Sequence, residues 1–180
     1  GTLGEHYDIP AIVNLAQSLP PALRDRVRLK FIVAGDGPLR QLCHDSVSDA
    51  FIFPGRLGPA DLTLLYRHAD IALSTYRGAS TVAMPIKAFD YLRHGLPIVN
   101  SLGRDLGEMI RKYDIGINYD ASAPASLAAA VERLACDESL RQQMAANARA
   151  LAPSFSADRQ YGKFVKVLET VSSQRLASTQ

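Results

Sequence analysis

A chain of 180 residues that is 47% apolar and 21% charged has the size and composition of one globular domain with a sizeable buried core. Its 20 basic and 18 acidic residues are scattered, leaving a formal charge of +2 without a basic run, which excludes the electrostatic footprint of a nucleic-acid binder. No apolar run approaches the ~18 residues of a membrane span, and Cys43 and Cys136, far apart and lacking the Cys and His spacing of a zinc site, read as thiols of a reducing compartment, not as a disulfide or a zinc site.

The chain opens on Gly1-Thr2-Leu3-Gly4, a turn with no strand before it, from which a longer protein is expected. Residues 8–19 carry helical apolar spacing. Residues 29–34 (LKFIVA) are rich in strand formers, and 38–47 are helical again. A strand at 51–53 (FIF), a helix at 59–68 and a strand at 70–74 (DIALS) follow. The spacing then predicts a helix over 85–94, a strand over 96–100, a helix over 105–113 and a short strand over 116–119. Three helices at 124–136, 138–151 and 157–171 close the chain. Tyr161, Phe164 and Leu168 form a stripe on the last, expected to pack internally or, in a longer protein, to meet a further domain. Strands alternating with helices imply parallel pairing, hence an α/β doubly wound sheet with helices on both faces and a helical C-terminus.

In such sheets ligands bind beyond the carboxyl ends of the strands, and here that edge collects glycine, serine and arginine. Gly35-Asp36-Gly37 follows the first strand, Gly55 and Arg56 the second, and Ser101 the fourth. A G-x-G ahead of a helix presents backbone N–H groups to a phosphate, or else makes a tight βα turn. Arg56 reaches an anion or is solvated. Lys87 stands in the first turn of its helix, where the macrodipole favours anions by ~0.3–1 kcal/mol, so it is misplaced unless something negative lies above it. Against this stands a solvated Lys87/Asp90 pair on one helical face, worth about 0.2–0.5 kcal/mol. His94 beside Gly95 reads as a helix cap, and Tyr66 and His68 as packing and surface residues.

The segments GTLG, FIVAGDGPL, FIFPGRLGPADLTLLYRHADIALS, PIKAFDYLRHGLPIV and SLAAAVERLACDESLRQQMAANARAL resemble, in order and spacing, the C-terminal domain of group 1 (family 4) glycosyltransferases. The resemblance runs from Gly1 to about Val167 and implies a Rossmann-like domain, residues 1–180, forming one half of a two-domain GT-B enzyme. That half binds the nucleotide-sugar donor, and an N-terminal domain outside this chain binds the acceptor. The most specific piece is Pro85-x-Lys87-x-x-Asp90-Tyr91-Leu92-x-x-Gly95-x-Pro97.

By this resemblance Lys87 meets the donor diphosphate and Asp90 the ribose hydroxyls, with Thr2, Gly4, Gly35, Asp36, Gly37, Gly55, Arg56, Pro85, Ile86 and Ser101 around the donor. The implied reaction is glycosyl transfer with retention, without metal or other cofactor, from a UDP- or GDP-linked sugar. No Asp-x-Asp pair is present to hold a divalent cation under the diphosphate. The implied acceptor is a glycan or lipid-linked sugar of surface polysaccharide or lipopolysaccharide synthesis. The implied setting is the cytoplasm, at the inner face of a bacterial membrane, with peripheral association of the full-length enzyme.

The pattern departs from the family in places. Val82 stands where a first carboxylate is expected, Pro85 removes an N–H donor from the turn before Lys87, and Thr2, Glu5 and His6 replace a cationic first loop. Two other functions compete. A GT-B-fold sugar-nucleotide epimerase would need its own carboxylates and histidine, which no motif supplies. A non-catalytic nucleotide-binding domain of the receiver or flavodoxin-like kind would need an acidic pair after its first strand, which cannot be traced.

Overall fold

The computed structural model describes residues 1–78 and 80–177. α1 (Ile9–Gln17) starts where Asp8 accepts the Ala11 N–H at 3.3 Å and buries Ile9, Ile12, Val13, Leu15 and Ala16 along one stripe. α2 (Pro21–Arg26) is an extra helix that the Pro20-Pro21 pair conceals in the sequence: Pro21 is at the first helical position, where a missing N–H costs nothing. β1 (Phe31–Ala34), α3 (Arg40–Asp45), β2 (Phe51–Gly55), α4 (Pro59–His68) and β3 (Ala72–Ser74) follow. Then come α5 (Lys87–Arg93), β4 (Ile98–Asn100), α6 (Asp105–Tyr113), β5 (Gly116–Asn118), α7 (Pro124–Cys136), α8 (Glu138–Leu151), a 3-10 turn at Ala152–Phe155 and α9 (Ala157–Ala177).

All ladders are parallel, as the alternation predicts. They form two sets: β1 with β2, matching Phe31 to Phe51, and β3-β4-β5, matching Ala72 to Ile98 and Ile98 to Gly116. Consecutive β4 residues point to opposite faces. Val99 joins a core shared with α1, α2, α3 and α7, while Ile98 joins a second one shared with α5 and α6, so helices cover both faces. Cys43 lies in the first core and both cysteines are free thiols. Gly95 ends α5 at φ +67°, and a Cβ there would come within 2.5 Å of the Arg149 side chain, so both backbone and neighbour demand glycine.

The last helix differs from expectation. α9 leaves the 3-10 turn with Tyr161 69%, Phe164 59% and Leu168 52% exposed, so its apolar stripe does not pack internally. Among the described residues no helix is long and apolar enough to cross a membrane.

Candidate functional site

The loops after β1, β2 and β3 and the start of α5 meet at one edge of the fold. Gly1–Leu3 lies along the loop after β1. The Gly1 nitrogen donates to the Ala34 carbonyl at 3.0 Å, the Asp36 N–H to the Gly1 carbonyl at 3.1 Å, and the Leu3 N–H to the Asp36 carbonyl at 2.8 Å. This approach explains the glycines: a Cβ on Gly35 would sit 2.1 Å from the Gly1 oxygen, and one on Gly37 2.9 Å from the Leu3 backbone. The Gly35 N–H donates to the Gly55 carbonyl at 2.8 Å and the Gly37 N–H to Asp36 Oδ1 at 3.0 Å, a carboxylate that Arg40 also approaches at 3.5 Å. The three N–H groups of Gly35-Asp36-Gly37 are thus engaged within the protein, and the loop serves as framework. Thr2 forms a parallel bridge with Asp36 and is exposed, and the Gly4 carbonyl accepts the Tyr7 N–H at 3.1 Å.

Lys87 is the first residue of α5, two positions later than the spacing predicts, because Pro85 and Ile86 form a tight turn before it. The Pro85 carbonyl accepts from Ala88 at 3.0 Å and the Ile86 carbonyl from Phe89 at 3.1 Å, and the Ile86 side chain is 83% exposed. Among the described residues no ion pair joins Lys87 to Asp90. The ammonium lies instead over the Tyr7 ring, 3.9 Å from its centroid, and that ring packs on Tyr76 with centroids 4.8 Å apart. Such a cation–π contact is worth about 0.5–1 kcal/mol when exposed and about 2 when desolvated. Sequence reasoning missed this tyrosine pair. Its one signal is position, since Tyr76 comes just after β3 and Tyr7 just before α1.

The electrostatics follow from this grouping. The charges of Lys87 and Arg56 both reach the Gly1 nitrogen, which places these two cations at one mouth. Burial alone would raise the Tyr7 phenol, but its hydrogen bond with Tyr76 and the nearby Lys87 outweigh it and hold it below the ordinary value. Tyr76 is raised by burial and by its bond with Tyr7. Arg56 follows Gly55, whose φ of +74° turns the chain at the end of β2, and is exposed.

Asp90 is exposed, and its carboxylate, after burial, helps to raise the Tyr66 phenol. Tyr66 meets Tyr91 edge-to-face at 5.7 Å and the His94 ring at 5.1 Å. His94 Nδ1 is 2.8 Å from the Asp90 carbonyl and His68 Nδ1 2.9 Å from the Leu64 carbonyl, both as helix-end contacts. Ser101 Oγ accepts the Tyr76 N–H at 2.8 Å and donates to the Tyr76 carbonyl at 2.9 Å, tying the loop after β3 to that after β4. Asn100, fully buried, shapes the same loop through Leu102 and Asn118. Val82 packs against the second core, so the place of the missing carboxylate holds a core side chain. Among the described residues no three of His, Cys, Asp and Glu form a metal-holding group.

Known proteins resemble this chain in sequence and in fold. The chain is 29% identical over 136 residues to an uncharacterized glycosyltransferase of Methanocaldococcus jannaschii, covering 72% of this chain and 34% of the relative. It superposes on the Anabaena protein HepE, solved in complex with UDP, with a TM-score of 0.73 at 19% identity, covering 96% of this chain and 47% of HepE. WaaG, a glycosyltransferase involved in lipopolysaccharide biosynthesis, gives a TM-score of 0.68 at 20% identity, covering 86% of this chain and 41% of WaaG. The chain therefore spans about a third of the archaeal relative and less than half of either solved protein. Residues 1–137 match the family described as glycosyl transferases group 1, and the chain belongs to that family.

Proposed function

We propose that this chain is the donor-binding domain of a retaining, metal-independent glycosyltransferase. It would hold a UDP- or GDP-linked sugar at the edge formed by the loops after β1, β2 and β3 and by the start of α5. The observation that carries the reading is the Lys87 ammonium, held at that edge on an aromatic face and not neutralised by Asp90, with Arg56 nearby. As a nucleoside diphosphate departs, negative charge gathers on its distal phosphate, and a fixed cation aimed there lowers the barrier. Lys87 supplies that cation by leaving the Tyr7 face, and Arg56 supports it. Asp90, one turn along α5 and exposed, accepts from the ribose hydroxyls, while Thr2 and Gly4 border the same mouth.

The acceptor, a glycan or a lipid-linked sugar, would sit on a second domain, so this chain alone would bind donor without transferring it. The UDP bound to HepE supports a nucleoside diphosphate as the ligand, and the involvement of WaaG in lipopolysaccharide biosynthesis supports a role in surface polysaccharide assembly. Calorimetric titration with UDP, GDP and their sugar conjugates tests this. Saturable binding of at least one diphosphate is expected, and binding of none of them would overturn the proposal.

A further inference from the structure

α9 is the longest helix among the described residues, and every side chain over residues 157–172 is exposed. A helix that packs against nothing is marginal in water, because most helical stability in proteins comes from burying one face. α9 is poorly suited to stand alone, since Gly162, Val165, Val167, Thr170 and Val171 are all weak helix formers.

Its apolar side chains are ordered, not scattered. Tyr161, Phe164, Leu168 and Val171 follow one another at steps of three, four and three, the period of a seam between packed helices, and Val165 and Val167 border that seam on its two sides. The opposite side carries Arg159, Lys163 and Lys166 together with Asp158 and Glu169, a mixed surface that suits water better than an anionic lipid face.

The seam is also self-complementary. Laid antiparallel on itself, it sets Tyr161 against Val171 of the partner subunit and Phe164 against Leu168 of the partner subunit. Each aromatic ring then meets a smaller aliphatic chain, twice over, as an isologous two-fold interface requires. The antiparallel arrangement opposes the two helix macrodipoles as well. The six apolar side chains, each about half exposed or more and two of them aromatics of about 150–250 Å², present roughly 600 Å² per copy. Two copies would bury about 1,200 Å², the lower bound of a stable specific interface.

We propose that two copies of this chain associate through α9, antiparallel, with the two-fold axis at the level of Lys166. The inference stands on the exposed seam and is independent of the function proposed above.

Sedimentation velocity of the 180-residue chain tests it. The mass of two chains is expected at about 100 µM and that of one at about 0.1 µM, as for a dissociation constant in the micromolar range. Leu168→Glu, at a position exposed in the single copy, should leave the urea midpoint at low concentration unchanged and move the association to at least about tenfold higher concentration. Arg159→Glu, on the opposite side, should leave it in place. The register is read by mixing Phe164→Cys and Leu168→Cys chains, each also carrying Cys136→Ser, with Cys43 buried. Disulfide dimers should join one chain of each kind in preference to two alike.

The mass of one chain at every concentration would overturn the proposal and leave α9 to another molecule. A dimer that Leu168→Glu does not disturb would put the interface elsewhere, and preferential linkage of like chains would refute the antiparallel register; either overturns it. Binding to phosphatidylglycerol vesicles with no dimer in solution would make a lipid surface the occupant instead.

Discussion

Lys87→Ala should separate ligand binding from folding. The ammonium rests 3.9 Å from the Tyr7 centroid, so losing that contact costs the fold about 0.5–1 kcal/mol. Toward a diphosphate the loss is larger. A unit charge ~4 Å away contributes about 4 kcal/mol gross at an effective dielectric of about 20. Desolvation and departure from the ring reduce this to the roughly 1.5–3 kcal/mol of a charge-assisted bond, or roughly 10- to 150-fold in Kd. Calorimetry with UDP, uridine and pyrophosphate, repeated with GDP and guanosine, should show the loss for diphosphates and not for nucleosides. Tyr7→Leu gives the opposite sign: with no aromatic perch to leave, Lys87 should bind diphosphate equally or up to about fivefold more tightly, although the domain is less stable. If Lys87→Ala binds every diphosphate as tightly as the parent, the lysine is a surface residue and the site reading fails.

Four further outcomes are expected. Asp90→Asn, which keeps size and loses charge, should weaken nucleosides and nucleotides alike while sparing pyrophosphate; an equal loss for pyrophosphate would detach Asp90 from the ribose. EDTA should leave nucleotide affinity unchanged, and a loss restored by Mg²⁺ or Mn²⁺ would reveal a metal site. Gly35→Ala must displace the Gly1–Leu3 segment from 2.1 Å and should cost about 1–3 kcal/mol in urea denaturation; an unchanged midpoint would contradict the close approach. Burial pushes the Tyr119 phenol from 10.0 up to about 12, so its contribution is complete below pH 10 and fades as pH rises toward 12, where the unfolded chain has already lost the proton that the fold retains. The alkaline fall in stability should therefore be shallower in Tyr119→Phe, and an identical slope would remove Tyr119 from that account.

Much of the fold was legible in the sequence where local chemistry decides. The helices at Pro59–His68, Asp105–Tyr113, Pro124–Cys136 and Glu138–Leu151 fall where apolar spacing places them, two of them opened by proline at the first helical position. Strands come out shorter than their apolar runs: Leu29 and Leu96 pack against the cores from outside any ladder. The site was legible as an edge but not as contacts. Lys87 is resolved by Tyr7, a residue remote in sequence that no helical periodicity connects to it. The opposite fates of Gly35 and Ile86, one tucked beneath Gly1 and the other turned out to solvent, likewise depend on tertiary approach.

The position of β4 bears on how the domain comes apart. Ile98, Val99 and Asn100 are each fully buried, adjacent in the chain, and divided between two cores and two ladders. An opening that frees this strand exposes both hydrophobic layers at once and releases β3 and β5 together, so neither half can fray along β4 while the other stays intact. Three residues therefore couple the halves into a single cooperative unit. Any movement that accompanies the proposed donor binding therefore falls to the loops at the strand ends, whose rearrangement leaves β4 untouched.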